Sequence, residues 1–297
     1  MQDPIFGQGT GISGRYGGLP DQFFHLKDAQ IVILPVPFDL TTTYQHGTCH
    51  GPAALIEASR NMELYDIETS LEVYKKGIYT APAISADTCK QLQSDLYQTV
   101  KGFLSAKKFV VTVGGEHSIS YGAFKAHLEQ FKSVSILQLD AHADLQDAYE
   151  GNPFSHASVM ARIIELPLSS AVAVGIRSMS AEELENQQHV HTFFSHELLD
   201  PSFDWMEKAI EKLGENVYLT FDLDVFDSSL MPSTGTPEPG GLSWDTALHF
   251  IKKVVKKRRL VGFDVVELLP NRQNIAPDYL AAKLIYKILS YKFKAEA

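Results

Sequence analysis

Only two cysteines, Cys49 and Cys89, occur in 297 residues. A chain of this length can bury a sizeable core without covalent staples, so the pair reads as reduced thiols rather than a structural bridge. Uninterrupted apolar runs are also missing. No stretch approaches the roughly 18 apolar residues that a membrane span needs, and residues 1–22 lack the apolar segment of a secretory signal. The reading is therefore cytoplasmic, with no membrane partner. Basic residues are too few for a nucleic-acid binder: 26 Lys and Arg stand against 36 Asp and Glu, for a net charge of −10. The one basic run, Lys252 to Arg259, falls on a helical pattern and reads as a solvated face. An acidic chain suits a small cationic ligand better than a polyanion.

What is present is an alternation of short apolar runs and longer amphipathic segments. Runs rich in Val and Ile at 31–37, 109–113, 134–139, 171–174, 217–223 and 260–265 have the length of buried parallel strands. Helical spacing separates them at 52–64, 87–106, 119–131, 157–165, 204–213, 244–258 and 277–291. Ser243 is placed to cap one helix, and Pro277 suits a first helical turn. In the last helix Leu280, Leu284 and Ile288 are spaced to bury one face. Strand and helix alternating in this way predict an α/β fold of three layers, α/β/α, around a central, mostly parallel sheet. Residues 1–24 read as an irregular arm, and 25–297 as one domain.

In such sheets ligands bind beyond the carboxyl ends of the strands, and the polar residues of this chain gather there. The strand at 109–113 runs into Gly114-Gly115-Glu116-His117. The strand at 134–139 runs into Asp140-Ala141-His142-Ala143-Asp144. Asp222-Leu223-Asp224 ends another, and Asp264 with Glu267 ends the last. If extended, Asp140 to Asp144 would span roughly 13 Å at about 3.3 Å per residue. That is too long for one cluster, so the chain should curl after Asp140. Carboxylates aimed into one crevice must take up protons or bind cations. Asp140, Asp144, Asp222 and Asp224 would balance two divalent ions, and an oxygen-rich set with a minority of imidazoles suits manganese.

These stretches, with Ser155-His156-Ala157-Ser158, Thr234-Gly235-Thr236-Pro237-Glu238-Pro239-Gly240-Gly241 and Asp264-Val265-Val266-Glu267, resemble the signatures of the ureohydrolase superfamily of arginases, agmatinases and guanidino-acid hydrolases. The resemblance extends from about Ile31 to the C-terminus and is most like agmatinases at Tyr149-Glu150-Gly151 and Ser155-His156. It implies an arginase-like domain that assembles as a trimer or hexamer and holds two Mn2+ per subunit. His117 and Asp144 would belong to one ion, His142 and Asp224 to the other, with Asp140 and Asp222 bridging. Asp144 would orient the attacking water, Glu267 would hold the guanidinium, and His156 would relay protons at the mouth. The products would be urea and an amine. Asp227 is left outside the site, and His46 and His50, which flank Cys49, read as loop residues. Cys49 stands where many relatives carry an arginine, and Ser228 where they often carry a proline.

The far end of the substrate decides its identity. The loop from Leu145 to Phe154 carries Asp147 and Glu150 and no lysine or arginine, which favours a cationic tail and hence agmatine, giving putrescine. Arg177 is a cation that could reach the mouth and reverse that reading. The alternatives are 4-guanidinobutyrate or a larger agmatine derivative, a non-catalytic metal-binding relative, and a deacetylase-like hydrolase with a single zinc.

Overall fold

The computed structural model describes residues 14–200 and 202–296. Eight strands form one sheet: β1 (Ile31–Val36), β2 (Ile78–Thr80), β3 (Phe109–Gly114), β4 (Val134–Leu139), β5 (Ser170–Ile176), β6 (His191–Phe194), β7 (Asn216–Asp222) and β8 (Arg259–Val266). Their order is β2-β1-β3-β8-β7-β4-β5-β6, and every pairing is parallel. The chain starts at β1, adds β2 at one edge and β3 on the inner side of β1, then jumps to β4 and builds outward through β5 to β6 at the other edge. Strands β8 and β7 later fill the gap. The site-bearing ends of β3, β8, β7 and β4 are thereby four neighbours at the centre of the sheet, where the direction of winding changes.

Alternate residues of each strand feed two separate cores, as the two-residue repeat requires. Ile31 and Ile33, Val111 and Val113, and Leu137 and Leu139 face the layer made by α1 (Gly51–Ser59), α6 (Asp204–Lys212), α7 (Trp244–Lys257) and α8 (Ala276–Ala295). Val32 and Leu34, Val110, and Val134 and Ile136 face α2 (Cys89–Ser105), α3 (Ser120–Phe131) and α4 (Val159–Ile164). A single-turn α5 (Leu184–Gln187) completes the helices of the described residues. The three-layer α/β/α architecture read from the sequence is the one observed.

Capping sets two helix starts. Thr88 Oγ1 accepts the Gln91 N–H to open α2, and Ser243 Oγ accepts the Thr246 N–H to open α7; a lost cap of this kind costs about 1 kcal/mol. Three elements escape the sequence reading. Strands β2 and β6 are short edge strands without an apolar run, the form in which natural sheets end, and α5 is too short to show a period. Helix α8 also departs from expectation. It is buried on nearly every side from Leu284 to Phe293, because it lies between α1 and α7 rather than on the surface.

Residues 14–24, read from the sequence as part of an arm, lie against the domain: Tyr16 is fully buried, and its hydroxyl donates to the Ala282 carbonyl at 2.7 Å. The rest of that arm, residues 1–13, lies outside the described residues. No helix among the described residues is long and apolar enough to cross a membrane.

Two glycines permit close approaches that a side chain would block. A Cβ on Gly115 would stand 2.0 Å from the Phe38 carbonyl oxygen, and one on Gly262 would stand 2.2 Å from His127 Nε2. The first lets the end of β3 close on the chain leaving β1, so that the Glu116 N–H donates to Phe38 at 2.8 Å.

Candidate metal centre

All six proposed ligands meet beyond the ends of the four central strands. His117 follows β3, and Asp140, His142 and Asp144 follow β4. Asp222 ends β7, and Asp224 lies in the 3-10 turn after it. Nδ1 of His117 is 2.9 Å from Asp144 Oδ2, 3.1 Å from Asp140 Oδ2 and 3.4 Å from Asp222 Oδ2. Nδ1 of His142 is 2.9 Å from Asp224 Oδ2 and 3.8 Å from Asp140 Oδ1. Two tight donor groups result, His117–Asp140–Asp144 and Asp140–His142–Asp224, and Asp140 belongs to both. Asp222 stands beside the first group and accepts the Asp224 N–H through Oδ1 at 2.9 Å.

The curl after Asp140 is present. The His142 N–H turns back to Asp140 Oδ1 at 2.7 Å, and Asp144 adopts φ 54°. Glu267 has φ 66°. Each non-glycine residue held in this region costs about 1–3 kcal/mol, and such residues cluster at functional sites. Here the deviation turns both carboxylates into the crevice.

The chemistry of the donors fits divalent cations. Nδ1 of His117 is buried and makes no hydrogen bond, although three carboxylates surround it. Its other nitrogen is committed. Thr220 Oγ1 donates to Asp264 Oδ1 at 2.7 Å, so it accepts from His117 Nε2 at 2.8 Å. In the neutral ring the proton therefore sits on Nε2, which leaves Nδ1 facing the carboxylates to share either a proton or a cation with them. Tyr218 also donates to Asp264, at 2.7 Å.

The protein alone is short of positive charge here. Burial together with Asp224 and Asp144 pushes Asp140 up to about 7. Burial, Asp224 and Asp140 raise Asp222 well above the carboxylate range. Burial would lower both imidazoles, yet Asp140 and Asp144 raise His117 and Asp224 raises His142 to about 10. Protons stand in for cations, and among the described residues no lysine or arginine lines the cavity.

That cavity, of about 220 Å³, has five of the six proposed ligands, all but Asp140, and Glu267 on its floor. Glu267 Oε1 accepts the His117 N–H at 2.7 Å, and burial next to Glu116 raises its carboxyl well above the usual value. His156, Tyr149 and Thr43 form part of the wall. Burial lowers the His156 imidazole below its ordinary value, so the ring is neutral at neutral pH. Asp227 lies apart from the cavity and ties the Ser229 turn to the Gly240 and Gly241 N–H groups. Cys49 is outside it as well, with its thiol pushed up to about 11 by burial and Asp39.

Three details of the mouth differ from the sequence reading. Asp147 and Glu150 do not line the cavity: Asp147 accepts from Asn186 at 3.0 Å, and Glu150 is exposed. Glu183, which drew no notice in the sequence, does line it. It is buried and accepts the N–H groups of Leu145 at 2.8 Å and Ser180 at 2.6 Å. Arg177 does not reach the mouth. Its guanidinium donates to the carbonyls of Gly175, Asp224, Phe226, Glu238 and Pro239, clamping the chain that carries Asp224.

Comparison with known proteins points to one family. The family model described as the arginase family matches residues 29–290. An N(1)-aminopropylagmatine ureohydrolase of Synechocystis is 36% identical, with 89% of each chain covered. An agmatinase of Pyrococcus horikoshii is 32% identical over 89% of this chain and 92% of its own. The solved agmatine ureohydrolase of Thermoplasma volcanium superposes with a TM-score of 0.83 at 29% identity, covering 91% of this chain and 92% of that one. The chain belongs to the arginase family: it is a hydrolase of the ureohydrolase superfamily, agmatinase-like in sequence.

Proposed function

We propose that the chain holds two Mn2+ ions and hydrolyses a guanidine with a cationic aliphatic tail, agmatine or its N1-aminopropyl derivative, to urea and an amine. The observation that carries this reading is the combination of an acidic floor of candidate metal ligands with a cavity wall that, among the described residues, has no lysine or arginine. His117 and Asp144 would hold one ion, and His142 and Asp224 the other, with Asp140 and Asp222 shared. When bound, the ions would balance the clustered carboxylates and supply Lewis acidity toward water at neutral pH.

The protein's own groups account for the rest. Glu267 keeps Oε2 free beside Gly235 while Oε1 takes the His117 N–H, so the free oxygen can accept a guanidinium N–H in a charge-assisted bond. Asp144 orients water and returns a proton to the departing amine nitrogen. His156, neutral and at the wall, carries protons between the cavity and solvent. Arg177 is bound up in backbone contacts and Glu183 supplies the acidic wall, so a substrate carboxylate finds no cation there. That disfavours 4-guanidinobutyrate. The aminopropyl derivative is placed beside agmatine because the 36%-identical relative carries that name.

The test is urea release by Mn2+-loaded protein from N1-aminopropylagmatine, agmatine, arginine, 4-guanidinobutyrate, 3-guanidinopropionate and guanidine. The cationic-tail substrates should exceed the carboxylate-bearing ones in kcat/KM by at least about 10-fold, the size of a lost charge-assisted contact. Preference for a guanidino acid would refute the tail assignment. No urea from any of them would favour the non-catalytic reading.

A further inference from the structure

The ring of His156 is held between two threonine hydroxyls of the loop that leaves β1. Thr41 Oγ1 is 3.2 Å from Nδ1 and also accepts the His156 backbone N–H at 3.0 Å. Thr43 Oγ1 is 3.1 Å from Nε2. Behind Thr41 lies Glu116, a fully buried carboxylate. It accepts the Thr41 N–H at 2.7 Å, the Thr41 hydroxyl at 2.6 Å and the Ser118 hydroxyl at 2.6 Å.

The proton count leaves one arrangement. A carboxylate accepts and does not donate, so the single hydroxyl proton of Thr41 is committed to Glu116. Thr41 Oγ1 therefore meets His156 Nδ1 as an acceptor, and Nδ1 carries the ring proton. Nε2 is left with its lone pair and accepts from Thr43. Thr43 lines the cavity, and Thr41 does not. The two faces of the ring thus differ: one is anchored to the interior, the other opens on the site. Tyr149 packs edge-on against the ring at 5.4 Å and restrains its rotation.

We infer that Glu116 and Thr41 are positioning residues that lock His156 in the Nδ1–H tautomer, and that Nε2 exchanges protons with the cavity through the Thr43 hydroxyl. In one transfer the Thr43 hydroxyl gives its proton to Nε2 and takes one from the cavity. One proton moves and Thr43 is restored. The inference rests on the reading of His156 as the proton carrier, and it adds which atom carries the proton and what holds it ready. It also gives Glu116 a task distinct from that of its neighbour His117: Glu116 ties the loop at 39–46 to the end of β3.

The test uses the full chain with ring-15N histidine in Mg2+ buffer, so that no paramagnetic ion broadens the signals. Wild type should show the Nδ1–H pattern for His156, with its resonances assigned by loss in His156→Asn. Thr41→Val should abolish that pattern, and Thr41→Ser, which restores the hydroxyl, should keep it. Thr43→Val should keep the Nδ1–H tautomer yet lower urea release by Mn2+-loaded protein by about 10²-fold, the lower end of acid–base contributions; Thr43→Ser should restore it. An Nε2–H wild type, or a Thr41→Val protein with an unchanged ring pattern, would overturn the lock. Full turnover in Thr43→Val would overturn the route. If wild type gives the Nδ1–H pattern but releases no urea from any guanidine, the proposed function fails while the lock stands.

Discussion

Two clusters of charge in this protein, one built round the buried Asp66–Lys287 pair, follow opposite principles. Against α8, Lys287 is 2.9 Å from Asp66 and 2.6 Å from Glu68. Lys252 and the Tyr291 hydroxyl complete the Glu68 carboxylate at 2.7 and 2.6 Å, and Thr69 completes Asp66. Each anion there has a cation and each acceptor a donor, so the cluster is finished within the chain. Beyond β3, β8, β7 and β4 the accounts do not close. Asp140, Asp144, Asp222 and Asp224 face two imidazoles, and among the described residues no lysine or arginine lines the cavity beside them. A balanced buried pair serves the fold. An unbalanced set held by strained backbone needs something that the chain does not supply, which places the chemistry at the sheet's carboxyl edge.

The largest expected effect comes from removing the shared member of the unbalanced set. Asp140→Asn should lower metal content, read by elemental analysis, and reduce urea release on the order of 10³-fold, as loss of a principal electrostatic group does. Full occupancy of both ions would count against sharing. Next, Lys287→Met leaves Asp66 buried and unpaired, and should cost about 3 kcal/mol of unfolding free energy in urea titration. Metal content and turnover of the folded protein should stay at wild-type values. A drop in turnover would mean that the two clusters are coupled. Third, Glu267→Gln should retain both ions and lose about 10²-fold in kcat/KM; unchanged kcat/KM would remove its guanidinium role.

The smallest effect is in the pH dependence of stability, and there the clusters should slope in opposite directions. In chelated protein the folded-state values of His142 (about 10) and Asp140 (about 7) lie above their ordinary ones. The folded state therefore binds more protons than the unfolded one, and stability is lost as pH rises through those values, by about 1 kcal/mol per pH unit for each group. Burial works against Asp66 and Glu68, but their lysine partners hold both below the carboxylate range, Glu68 at about 2. Their contribution is present above that range and is lost as pH falls toward about 2. Denaturant titrations from pH 2 to 10, with and without Mn2+, separate the two. Mn2+ should flatten the alkaline loss, and an equal loss in its presence would contradict the assignment.

The contrast also explains what could be read from sequence. The proposed ligands are legible because Asp140, His142 and Asp144 are crowded into five residues at a strand end, and Asp222 and Asp224 into three. Carboxylates so close, next to an apolar run, need a cation whatever the tertiary details. Thr220, Asp264, Thr41 and Glu183 are not legible in the same way. Asp264 and Glu116 stood in recognisable stretches, but their partners lie far off in sequence: Thr220 is 44 residues from Asp264, and Thr41 is 75 residues from Glu116. A threonine has no distinctive chemistry until a fold places it against an imidazole. The sheet's central strands were plain from their Val and Ile runs, while β2 and β6, lying at the edges, carry no such run.

Metal stoichiometry tests the central claim most directly. Chelated protein should take up two Mn2+ per chain on titration, measured by elemental analysis after desalting and by the heat of binding. One ion per chain, or none retained at micromolar Mn2+, would contradict the account.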